Sequence, residues 1–105
     1  MRKAPERFIE FAKQYPKIAA AYENLAAECH KSGGPLNDRE RALVKLGIAI
    51  GSGREGSVHS QVRKGLDGGM KPAEIRHAVL LAMTAIGFPS MMAALTWAED
   101  ILKKE

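Results

Sequence analysis

Cysteine is nearly absent. Cys29 is the only one in 105 residues, so the chain can form no internal disulfide, no Cys-x-x-Cys redox centre and no zinc site built on paired thiolates. A reducing, cytoplasmic setting is the expectation that follows. Aromatic residues are equally sparse at 6%, and all six lie outside residues 23–87, which leaves the basic middle of the chain without rings on which bases could stack. No stretch alternates apolar and polar residues as a half-buried strand would. The N-terminal residues run into a charged helical pattern and show no apolar core with a small-residue cleavage site, so export is not expected.

What is present is ordinary globular material: 46% hydrophobic and 27% charged residues, enough for one domain over residues 1–105 and too little for two. The net charge of +4 is concentrated in the middle, where residues 31–76 carry nine Lys/Arg against five Asp/Glu. Acids interleave with these bases, so the pattern describes a solvated basic face that attracts small anions, and not a nucleic-acid surface.

Apolar residues recur at helical spacing throughout, and the fold class is all-α with five to six helices. Phe8, Phe11, Ala12 and Tyr15 share one face before Pro16 interrupts, and Ile18, Tyr22, Leu25 and Cys29 resume it. Gly33-Gly34-Pro35 forces a turn. Asn37-Asp38-Arg39-Glu40 has the form of a capping box and starts a second helix near Asp38. That helix runs through Leu43, Val44, Leu46, Ile48 and Ile50, apolar enough to be buried by more than one neighbour, to Gly51-Ser52-Gly53. A third helix from about Arg54 to Asp67 buries Val58, Val62 and Leu66. A fourth opens at Pro72 with Ile75, Val79, Ala82, Met83 and Ile86 on its apolar positions, and a fifth follows Gly87-Phe88-Pro89.

Residues 78–98 carry no charge at all. The Gly87-Phe88-Pro89 break divides them into halves of about ten residues, well short of the roughly 20 that a membrane span needs. A buried helical hairpin fits better, and because so short a chain cannot cover it, self-association into a homotrimer or homohexamer is expected.

The strongest chemical constellation is Glu55 with His59, four residues apart and so on one helix face, with Arg63 continuing the stripe. A carboxylate beside an imidazole can orient the ring and make it a general base. The same spacing also occurs in weakly coupled surface pairs. Glu40 is a second candidate, because a helix packed antiparallel to the third would point its carboxylate toward His59, although the capping box already employs it. His30 and His77 lack a second ligand at metal spacing, so no metal site is assigned. Gly51-Ser52-Gly53-Arg54 leads into a helix N-terminus without the strand and spacing of a phosphate-binding loop.

The runs Leu36-Asn37-Asp38-Arg39-Glu40-Arg41-Ala42-Leu43-Val44, Gly53-Arg54-Glu55-Gly56-Ser57-Val58-His59, Gly69-Met70-Lys71-Pro72-Ala73-Glu74-Ile75 and Gly87-Phe88-Pro89, taken in order, are similar to the carboxymuconolactone decarboxylase family. The resemblance covers residues 36–102. It implies an AhpD-like helical bundle, small subunits in trimers or hexamers, and one of two activities: cofactor-free decarboxylation, or thiol-dependent hydroperoxide reduction. Glu40 and His59 occupy the Glu and His positions of the peroxidase pattern, but Ser52 and Glu55 stand where its two cysteines belong. The resemblance therefore implies a decarboxylase-type enzyme without a cofactor, acting on a small anionic acid or lactone, with His59 as acid/base, Glu55 orienting it, Glu40 as a second proton-handling group, and Arg54 or Arg63 holding a substrate carboxylate. Phe88 replaces the usual second glycine before the proline. The alternatives are a peroxidase-related protein that has lost its thiols and a non-catalytic ligand-binding oligomer.

Overall fold

A computed structural model describes residues 4–104. Among them there are six helices of nine to seventeen residues and one single-turn helix, with no strand: α1 (Glu6–Gln14), α2 (Pro16–Ser32), α3 (Asp38–Ser52), α4 (Glu55–Asp67), α5 (Pro72–Leu81), α6 (Met83–Ile86) and α7 (Phe88–Leu102). The all-α reading holds. The chain packs as two compact units that divide between Leu36 and Asn37. The Gly33-Gly34-Pro35 turn supplies the break.

The first unit is the pair α1 and α2, separated at Tyr15 because Pro16 has no N–H to extend the first helix. The Phe11 and Tyr15 rings pack in a tilted arrangement with centroids 5.2 Å apart. Ala19 is buried, whereas Ile18, Tyr22 and Leu25 of the anticipated face are all exposed.

The second unit holds the core. Leu46, Ala49 and Ile50 of α3, Val58 and Val62 of α4, Met70, Ile75 and Val79 of the α5 region, and Met91, Ala94, Ala98 and Leu102 of α7 form one buried cluster. The capping box is present as expected, the Asn37 side chain accepting the Glu40 N–H at 2.8 Å and Glu40 Oε1 accepting the Asn37 N–H at 3.0 Å. Gly53 ends α3 with φ +68°, a left-handed conformation that glycine adopts without the Cβ clash of other residues. Two cross-helix ion pairs, Arg39 with Glu74 and Arg76 with Glu99, brace the outside.

Two expectations change. The fourth helix is not continuous: α5 ends at Leu81 and α6 begins at Met83, with the Ala82 N–H reaching only to Val79 O at 3.0 Å, a tightened turn that interrupts the regular ladder. Nor is α3 buried on several sides, since Val44 and Ile48 stay exposed opposite Leu46 and Ile50, and Leu43, on the buried face but nearer the helix start, is exposed as well. The uncharged 78–98 segment likewise leaves Leu80, Leu81, Ile86, Phe88 and Met92 exposed. No helix of the described residues is long and apolar enough to cross a membrane.

Candidate functional site

The first turn of α4 is set by the link before it. Ser52 Oγ donates to Ala49 O at 2.7 Å and accepts the Arg54 N–H at 3.3 Å, while Gly53 reverses the chain, so α4 returns alongside α3 in the opposite sense. Val58, Val62 and Gly65 then face the core. The helix presents its remaining polar residues on two separate flanks.

On one flank, Glu55 and His59 face α7. His59 Nε2 lies 2.9 Å from Asp100 Oδ2, and the ligand atoms of Glu55, His59 and Asp100 all lie within 4.8 Å of one another. The imidazole is largely covered, at 22% side-chain exposure, while Asp100 is half open at 51%. A neutral imidazole that donates Nε2–H to Asp100 carries its lone pair on Nδ1, which has no partner among the described residues. That arrangement fixes the ring and presents Nδ1 as a base.

On the other flank, Arg54, Ser57 and Gln61 line a groove of about 450 Å³ together with Lys45, Ile48, Ala49 and Ser52 of α3. At about 100° per residue, Ser57 and His59 point to nearly opposite sides of α4. The groove and the imidazole are therefore distinct places.

The structure thus brings Glu55 and His59 together as the spacing predicts, and adds Asp100, which sequence reasoning missed. Glu40 stands apart. It belongs to the first turn of α3, some 18 Å along the axis from Ser52, and in an antiparallel pair that end lies beside the end of α4 and not beside its first turns. Its carboxylate is held in the cap. Arg63 is half-buried one turn beyond His59 and forms no hydrogen bond or ion pair with a described residue. Arg54 lies on the groove side. Asp100 had no local signal, because only the packing of α7 on α4 carries it to His59.

Compared with known proteins, residues 16–100 match the model of the carboxymuconolactone decarboxylase family. No curated protein and no solved structure matches the chain.

Proposed function

Because the chain belongs to the carboxymuconolactone decarboxylase family, whose model spans most of its length, we propose that it is a cofactor-free decarboxylase-type lyase acting on a small carboxylated acid or lactone. The observation that carries this reading is the His59–Asp100 pair with Glu55 beside it. In such a reaction the C–C bond to the carboxylate breaks, carbon dioxide leaves, and the electron pair delocalises into a conjugated carbonyl of the substrate. A proton must then reach the resulting carbon. His59 takes a proton from solvent at Nδ1 and delivers it to that carbon, Asp100 holds the ring and stabilises the imidazolium, and Glu55 adds negative potential on the same face. Asp100 takes the part that the family pattern suggests for Glu40. Arg63, on the His59 stripe and without an ion-pair partner, is the better placed arginine to hold the substrate carboxylate.

A thiol peroxidase is disfavoured by chemistry, since Ser52 and Glu55 supply no sulfur and Cys29 lies in the other unit. The exposed apolar residues of the 78–98 segment and of α3 support assembly into a homotrimer or homohexamer, which light scattering tests.

The direct test is carbon dioxide release from a carboxylated lactone such as carboxymuconolactone. Turnover by the unaltered protein that falls about a hundredfold in His59→Ala supports the reading. Turnover that persists in His59→Ala refutes the catalytic assignment, and none by the unaltered protein on such lactones refutes the lyase reading.

A further inference from the structure

Carboxylates that reach across helices in the second unit are matched with arginine in two places: Glu74 with Arg39, and Glu99 with Arg76. Glu55 and Asp100 break that pattern. Asp100 meets only His59, and neither carboxylate has an arginine or lysine partner among the described residues. Two like charges have been brought to one imidazole without an ion pair to either, although Arg63 follows one turn beyond His59 and Lys103 and Lys104 line a groove with Asp100.

We propose that Glu55, His59 and Asp100 form a binding site for a divalent first-row transition ion of the zinc class. The donor set is one imidazole nitrogen and two carboxylate oxygens, the mixture such ions accept, and three protein ligands leave a position for water. The distances suit it. Ligands about 2.0–2.2 Å from an ion lie roughly 3–4 Å from one another, the His59 Nε2–Asp100 Oδ2 separation is already 2.9 Å, and all three ligand atoms fall within 4.8 Å. Glu55 is exposed, so its side chain is free to rotate and close the remaining distance. His59 and Glu55 share one helix face, and Asp100 closes the triangle from a second helix. The ion displaces the proton between His59 and Asp100, and its two carboxylates balance its charge.

This site does not rest on the decarboxylase reading, and it acts on the same imidazole. With the ion bound, Nε2 is a ligand and Asp100 no longer orients a free ring, so a divalent ion inhibits any proton transfer through His59.

The test is isothermal titration of the unaltered full chain with zinc chloride at neutral pH, with circular dichroism confirming the fold of each variant. One ion per chain is expected, with affinity reduced at least tenfold in His59→Ala, Asp100→Asn and Glu55→Gln, and unchanged in His30→Ala and His77→Ala. Should His59→Ala fail to fold, the two exposed carboxylate variants carry the comparison. Failure to bind zinc overturns the site, as does binding that survives the Asp100→Asn and Glu55→Gln changes or is lost in His30→Ala or His77→Ala. Because the readout is binding, a protein without lyase activity can still pass.

Discussion

Leu46 and Ile48 sit two residues apart on α3 and have opposite fates, one 1% and the other 67% exposed. Truncating each to alanine isolates what the core of the second unit contributes. Leu46→Ala removes three carbons, worth about 2.4 kcal/mol at roughly 0.8 kcal/mol per methylene. The cavity left among Ile50, Val58 and their neighbours raises the loss to about 3–4 kcal/mol. Set against a total stability on the order of 5–15 kcal/mol, and with a urea slope of about 1.5 kcal/mol/M, the unfolding midpoint drops by roughly 2 M with the slope unchanged. Ile48→Ala, by contrast, moves stability by no more than about 0.5 kcal/mol in dilute protein. Urea titration followed by far-ultraviolet circular dichroism reads both. Equal shifts for the two variants at low concentration would refute the assigned faces of α3. A loss in Ile48→Ala that appears only as concentration rises reports a second chain covering that face.

Three further outcomes are expected. Asn37→Ala removes the acceptor of the Glu40 N–H and costs about 1 kcal/mol in thermal or urea unfolding; no loss would show that the cap does not hold α3. The Arg76 guanidinium donates to both carboxylate oxygens of Glu99 and holds that carboxyl below its ordinary value. A depressed folded value means that the stabilisation is present above the ordinary carboxylate range and disappears as pH falls through the folded value, so acid titration of Glu99→Gln should be flatter there than that of the unaltered chain. Finally, organic hydroperoxides with a dithiol reductant should not be turned over, and turnover that disappears in Cys29→Ser would place a redox centre where none is assigned.

The helices were legible because their ends are marked by chemistry that acts locally. Asn37 and Glu40 cap α3, Gly53 stops it, Pro72 starts α5, and Gly87 with φ +98° separates α6 from α7. The interruption at Ala82 had no such mark, since neither glycine nor proline stands there and the apolar period continues across it. Burial was legible only in part. The period identified Ile75, Val79 and Val62, but an apolar run such as Leu43–Ile50 does not say which of its sides has neighbours, and Ile48 and Val44 turned out to have few. For the site, the i, i+4 relation of Glu55 and His59 was readable because it lies within one helix. Asp100 was not, being 41 residues from His59 in the chain and brought there by packing alone.

The core that α7 shares with α4 contains very small residues. Ala94 and Ala98 are almost fully buried in the same cluster as Val58 and Val62, and Ala98 sits two positions before Asp100. Side chains no larger than a methyl let two helix axes come close, toward the lower end of the usual 8–10 Å separation. The reach from imidazole to carboxylate is consequently gauged by the size of the core side chains between the helices. A leucine at position 98 would wedge the helices apart by an ångström or more and leave both polar residues in place but out of each other's range. The chemistry of this face can therefore be switched off, or regraded, from inside the core.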